Sequence, residues 1–239
     1  MGNRIAGYLR TLRKIPRILA HLRTNLSYAL NDEAYWDEYA RCWRPAEGQA
    51  SLGDEWHNQE RFLEILEKYS DRNAVALEIG CGGGRITAQA ATWFREVHAC
   101  DVSHEMLRYC AKSVQAPDVH FHKLDGFTLA EFQDHGIDCV YSHDVFVHFS
   151  SLQVYPYLRE IKRVLKPGGL GIISFVNFGH DFEEFKETGV FYWERRRIPP
   201  HMRVHFITVE MVERMLRDLK LEVVEIDCTN YLIAVFTTP

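Results

Sequence analysis

No stretch of this 239-residue chain approaches the roughly 20 consecutive apolar residues that a membrane span needs. The sequence also has no C-x-x-C pair. Its six cysteines (Cys42, Cys81, Cys100, Cys110, Cys139 and Cys228) show no ligand-like spacing with histidine. A disulfide framework is not expected at this size, and buried free thiols in a reducing compartment are. Positive charge is not in surplus: 28 Lys and Arg face 33 Asp and Glu, for a formal charge of −5. That balance gives no general pull toward nucleic acid or an anionic membrane. The basic N-terminus lacks the uninterrupted apolar stretch of a cleavable signal, so the cytoplasm is the expected compartment. No Gly-Lys-Ser/Thr follows the glycines, which excludes a phosphate-cradling P-loop. His180, His201 and His205 lack the carboxylates and spacing of a metal site, so no metal is expected. There is no internal repeat and no low-complexity segment.

What is present is ordinary globular composition, 46% apolar and 26% charged, in a chain long enough for one substantial core and a small added segment. Residues 1–70 read as a helical cap without a convincing strand. Residues 71–239 read as one α/β domain, with 178–207 as an irregular substrate-side lid. Apolar runs near 74–79, 96–100, 119–124, 137–142 and 170–176 predict strands. Amphipathic stretches near 84–95, 103–115, 127–134 and 151–165 predict helices between them. This alternation is the signature of βαβ units on a parallel sheet. Leu165-Lys166-Pro167-Gly168-Gly169 stops the last of these helices, because Pro cannot continue the ladder and Gly turns freely. Thr208 is a natural N-cap for a helix from Val209 to Leu219. Leu221–Ile226 and Tyr231–Phe236 then read as a closing antiparallel pair.

Residues 75–85, Val-Ala-Leu-Glu-Ile-Gly-Cys-Gly-Gly-Gly-Arg, carry the most information. A β-leaning run ends at Glu78-Ile79 and turns at once through glycines into a helix. Such a turn lets backbone approach a ligand and aims the first N–H groups of the helix at it. The dinucleotide fingerprint fits poorly, since its third glycine would fall at Arg85. The next two runs end in Asp101 and Asp125. Three strands each ending in a carboxylate place Glu78, Asp101 and Asp125 along one edge of a parallel sheet. That edge suits a ligand offering an ammonium, ribose hydroxyls and an adenine amino group. It repels a pyrophosphate.

These residues resemble the class I S-adenosylmethionine-dependent methyltransferases. The matching pieces are Leu77 to Arg85, Asp101-Val102-Ser103 with Met106-Leu107, Leu124-Asp125-Gly126, Ile137 to Ser142, and Leu165 to Gly169. Together they span about residues 75–177, in order and at the family's spacings. The resemblance implies a Rossmann-like, seven-stranded, mostly parallel sheet with helices on both faces. It also implies S-adenosylmethionine as cofactor and S-adenosylhomocysteine as product. In that family the glycine turn lies against the methionine part, which falls here on Gly80, Cys81 and Gly82. The acid after the second strand takes the ribose hydroxyls, here Asp101. The acid after the third lies near the adenine amino group, here Asp125. The candidate cofactor residues are then Glu78, Gly80, Cys81, Gly82, Asp101, Val102, Met106, Asp125, Gly126 and His143.

Methyl transfer from a sulfonium needs an in-line arrangement and, for a hydroxyl nucleophile, a base. The family resemblance places that chemistry just past the fourth strand, here Tyr141-Ser142-His143-Asp144-Val145-Phe146-Val147-His148-Phe149. His148 and His143 are the base candidates, and His205 is a third. His143 could instead bond the cofactor's amino-acid end, and Asp144 could orient a histidine or sit exposed. The aromatic stretch with Phe182, Phe185 and Tyr192 either lines the site for an apolar or ring-bearing acceptor or folds onto its own hydrophobic residues. Its Arg195-Arg196-Arg197 run could meet a phosphate or carboxylate, but reads first as a solvated cluster. Tyr35, Trp36 and Trp56, with Tyr28, Tyr39 and Trp43, either close over the site or glue the cap to the sheet. The expected reaction is O-methylation of a small molecule, not of nucleic acid. A nicotinamide-dependent oxidoreductase and a non-catalytic relative of the fold are the alternatives. Apolar residues from Ile5 to Leu26 recur at helical spacing among basic ones. They predict a helix that packs on the core or a subunit, or lies on an anionic membrane surface. The Pro16 ring would kink it.

Overall fold

The computed structural model describes residues 32–42, 59–195 and 204–239. Two helices come first, α1 (Asp32–Cys42) and α2 (Glu60–Lys68). Then β1 (Val75–Ile79), α3 (Arg85–Trp93), β2 (Glu96–Asp101), α4 (His104–Ser113) and β3 (Val119–Lys123) alternate. β4 (Ile137–Ser142), a 3-10 turn (Phe146–His148), α5 (Ser151–Val164) and β5 (Leu165–Asn177) follow. The chain closes with α6 (Phe182–Arg195), β6 (Phe206–Ile207), α7 (Val209–Asp218), β7 (Glu222–Asp227) and β8 (Leu232–Thr237).

The strands form one sheet in the order β3-β2-β1-β4-β5-β8-β7, with the two-residue β6 beside β5. β1 pairs in parallel with β2 on one side and β4 on the other. β5 pairs antiparallel with β8, and β8 with β7. The winding therefore reverses between β1 and β4. In an open α/β sheet a crevice opens at the carboxyl ends of the two strands on either side of such a reversal. This is the Rossmann-like sheet expected from the sequence.

All five residues of β1 are buried, which is why the strand reads as an unbroken apolar run around one Glu. Alternation splits them between two cores. Leu77 and Ile79 face a cluster with Leu158 and Ile161 of α5 and Val212 and Leu216 of α7. Ala76 faces a cluster with Phe62, Ile65 and Leu66 of α2, Ile86 and Ala90 of α3, and Cys110 of α4. α7 begins where expected: Thr208 Oγ1 accepts from Met211 N–H at 3.3 Å.

Two expectations are corrected. Residues 127–134 are turns, not a helix. Their backbone is satisfied from α5 instead: Leu129 N–H donates to Glu160 Oε2 at 3.1 Å, and Arg163 donates to the carbonyls of Leu129 and Phe132 at 2.9 Å each. Residues 178–207 are not irregular throughout, since α6 takes up Phe182–Arg195. The basic helix between Ile5 and Leu26, and Tyr28, Trp43, Trp56, Arg196, Arg197 and His201, lie outside the described residues. Among the described residues no helix is long and apolar enough to cross a membrane.

Candidate functional site

The turn after β1 places three glycines at positive φ: Gly80 at 76°, Gly82 at 51° and Gly84 at 95°. Side chains are costly in that region, which explains the cluster. Gly80 and Cys81 donate their N–H groups to the Cys100 carbonyl of β2, at 2.8 and 2.9 Å. A Cβ on Gly80 would lie 2.2 Å from Val145 Cγ2, and one on Gly84 2.8 Å from Val114 Cγ2. One on Gly82 would meet nothing within 4 Å. The turn is thus packed at its two ends and open in the middle. Gly84, the N-cap of α3, offers no side chain to the first N–H groups of that helix.

Asp101, the last residue of β2, ties this turn to the next one. Its Oδ2 accepts from Gly82 N–H at 3.0 Å and its Oδ1 from Ser103 N–H at 2.8 Å. Burial pushes its carboxyl up to about 6, against those hydrogen bonds. Glu78 is placed differently from the sequence expectation. It is the penultimate residue of β1, and its Oε2 accepts from Thr87 at 2.6 Å and Tyr141 at 3.2 Å inside the α2–α3 core. Burial raises it to about 7. Cys81 also turns inward: a hydrogen bond with Cys110, then burial, hold its thiol well above the usual range. Only its backbone belongs to the turn.

Asp125 lies two residues past β3, where Phe127 N–H, Thr128 N–H and Thr128 Oγ1 bond it at 2.7, 2.7 and 2.8 Å. Burial pulls its pKa upward, but these bonds outweigh it and the carboxyl sits below its ordinary value. Gly126 (φ 82°) abuts Val102, whose Cγ2 would be 3.4 Å from an added Cβ. Met106 is buried against Ala40 of α1, with Trp36, Tyr39 and Tyr109 around it.

The β4 end carries the histidines. Ser142 Oγ donates to the Ile79 carbonyl at 2.8 Å, which fastens β4 to β1 at the crevice. His143 stacks on Phe62 with ring centroids 4.6 Å apart and meets the edge of Tyr231 at 5.3 Å. Its Nδ1 and the Asp144 N–H both bond Ser174 Oγ, at 3.1 Å each. Its Nε2 and Asp144 Oδ2 lie 3.5 Å apart, and both are buried without a hydrogen-bond partner among the described residues. Burial lowers the His143 pKa, the nearby charge of Arg85 adds to this, and Asp144 opposes it. Asp144 itself sits at φ 59°.

His148 and His205 are brought to one rim. His205 N–H donates to the Val147 carbonyl at 2.7 Å, and the His205 side chain is exposed. The His148 ring is half-buried, 5.1 Å from Trp36 of α1. His143 is apart from this pair, with its side chain only 1% exposed. Sequence reasoning missed Asp37, whose Oδ1 accepts from Ser103 Oγ at 2.6 Å across 66 positions of chain. No local pattern signals a contact so distant.

Residues 77–173 match the family model described as a methyltransferase domain. The ribosomal protein L11 methyltransferase of Campylobacter concisus is 25% identical over 113 residues, which cover 47% of this chain and 38% of that one. The malonyl-[acyl-carrier protein] O-methyltransferase of Bacillus cereus is 32% identical over 130 residues, 53% of this chain and 45% of that one. The chain spans under half the length of these two relatives. Among solved structures, the magnesium protoporphyrin IX methyltransferase of Synechocystis PCC 6803, with bound S-adenosylhomocysteine, superposes with a TM-score of 0.66. It is 16% identical, with 91% of this chain and all of that one covered (100%), so the likeness is one of fold.

Proposed function

The chain carries a class I S-adenosylmethionine-dependent methyltransferase domain, and from that premise we propose that it methylates a hydroxyl of a small-molecule acceptor with a histidine as base. One observation carries the reading. At the reversal of the sheet, an open glycine tied to a strand-end acid adjoins a β4 end where His143 Nε2 and Asp144 Oδ2, 3.5 Å apart, are buried without a hydrogen bond among the described residues. Buried polar groups are normally paired, so the missing partners point to a ligand.

The residues fit S-adenosylmethionine in chemistry. Gly82 gives its polar groups a close approach to backbone, and Asp101 offers acceptors to ribose hydroxyls. Asp144 Oδ2 and His143 Nε2 suit the ammonium of the amino-acid end. When bound, the cofactor supplies an activated methyl group. The chain's own task is to hold the acceptor in line with it, exclude water and remove a proton. Trp36 packs on His148 of the 3-10 turn, and α6, whose Phe185 packs on Phe206 next to His205, serves as the lid in this reading. His148 takes the hydroxyl proton, with His205 beside it, since a neutral imidazole accepts one near neutral pH. His143 is too enclosed to meet an acceptor and serves the cofactor. The O-methyltransferase relative supports the choice of oxygen.

The test is transfer of labelled methyl from S-adenosylmethionine to a panel of small hydroxyl and carboxyl acceptors. The expected result is a labelled oxygen-linked product whose formation His148→Ala slows about a hundredfold or more while retaining affinity for S-adenosylhomocysteine. Label appearing on protein or on nitrogen, or full activity in His148→Ala, overturns the assignment.

A further inference from the structure

Asp37 lies on α1, far in sequence from the glycine turn, yet one continuous hydrogen-bond path joins them. Its Oδ1 accepts from Ser103 Oγ at 2.6 Å and from Glu105 N–H at 3.1 Å. Ser103 N–H in turn donates to Asp101 Oδ1 at 2.8 Å, and Gly82 N–H to Asp101 Oδ2 at 3.0 Å. We propose that Asp37 is a positioning residue: through Ser103 it sets the orientation in which Asp101 receives the ribose hydroxyls. This rests on the cofactor reading above.

The geometry goes beyond the needs of a helix cap. Ser103 already caps α4, since its Oγ accepts from Met106 N–H at 3.1 Å. A hydroxyl has one proton, and here it goes to Asp37. That bond fixes the direction of the hydroxyl proton and ties α1 to the residue whose backbone N–H holds Asp101. Ser103 is completely buried, so no solvent replaces the bond when it is lost. The path is reinforced from outside by Arg41, 3.4 Å from Asp37 Oδ2. α1 is also held at two other strand ends. Glu33 lies 3.3 Å from Lys123, the last residue of β3, and the Trp36 ring packs on His148 after β4. A ligand that engages Asp101 therefore strengthens the docking of α1, and a docked α1 strengthens the ligand by the same factor.

The experiment is calorimetric titration of the full chain with S-adenosylhomocysteine and with its 2′,3′-dideoxy analogue. Asp37→Ala is expected to weaken S-adenosylhomocysteine about tenfold and to leave the dideoxy analogue within about twofold, a loss inside the usual range of coupling between sites. Retained binding of the analogue also shows that the variant is folded. Asp37→Asn keeps one acceptor oxygen and is expected to recover most of the affinity. Asp37→Ala combined with Ser103→Ala is expected to be no weaker than the weaker single variant, since both cut the same path. Equal loss for both ligands would make Asp37 a structural contact only, and unchanged affinity for S-adenosylhomocysteine would overturn the proposal outright. A wild-type chain that binds neither ligand overturns the cofactor reading, and this proposal with it.

Discussion

The carboxyl edge of the sheet has two unlike halves. Where β1 and β2 end, Asp101 has both oxygens bonded to backbone, and Glu78 is tied to Thr87 and Tyr141 in the core. Where β4 ends, His143 Nε2 and Asp144 Oδ2 are buried with no partner among the described residues. Leaving such a group unpaired costs about 1–3 kcal/mol. The first half is therefore organised by the fold itself, and the second is the half that the proposed cofactor completes. Asp144, at a positive φ for a non-glycine residue, adds local strain to the same half.

The largest effect that would sharpen this contrast is on turnover. His148→Ala should lower kcat by about 10²–10⁴-fold, the usual share of a general base, with S-adenosylhomocysteine affinity unchanged. Steady-state kinetics beside a binding titration measures both, and a matching loss of affinity would make His148 a cofactor contact instead of the base.

The next effect is on stability. Glu78 has an ordinary value of 4.5 and is raised by burial to about 7 in the folded chain. The folded state thus holds this proton more tightly than the unfolded one. Its contribution is full below about pH 4.5 and is lost as pH rises through about 7. Relative to Glu78→Gln, the wild type should lose about 2–3 kcal/mol between pH 5 and pH 8, the part of the shift that falls in that window. Urea unfolding at both pH values checks this, and parallel behaviour of the two proteins would show that Glu78 is not enclosed.

Asp101→Ala should weaken S-adenosylhomocysteine by about 1–3 kcal/mol, through the loss of charge-assisted hydrogen bonds. An unchanged affinity in the same titration would refute its ribose role. The smallest effect concerns the open middle of the turn. Gly82→Ala meets no neighbour, so its stability cost should be only the 1–2 kcal/mol or so of a left-handed residue. Gly80→Ala should cost more, because Val145 already fills its space. Equal unfolding midpoints for the two variants would show that the turn is not open at Gly82.

Much of the first half was legible because its signals are local. The run from Val75 to Ile79, the glycines after it and the acid at Asp101 stand in the order that the fold uses them. The end of α5 before Leu165 and the Thr208 cap were readable for the same reason, but β5 begins at Leu165 and runs through Pro167, Gly168 and Gly169, which were expected to precede it. The rest depends on contacts between distant residues. Glu78 follows the alternation of its strand into the α2–α3 core, which is invisible until α3 sets Thr87 above it. Residues 127–134 have a helical pattern, but Glu160 and Arg163 take their backbone groups first. The α6 helix was hidden by its aromatics and Gly189, which are poor helix formers. The role of Asp37 appears only when α1 meets α4.

Calorimetric titration of the wild-type chain with S-adenosylhomocysteine, beside NAD as a control, tests the central claim most directly. The account predicts saturable binding of S-adenosylhomocysteine in the micromolar range and no heat with NAD. Binding of NAD with no response to S-adenosylhomocysteine would contradict it.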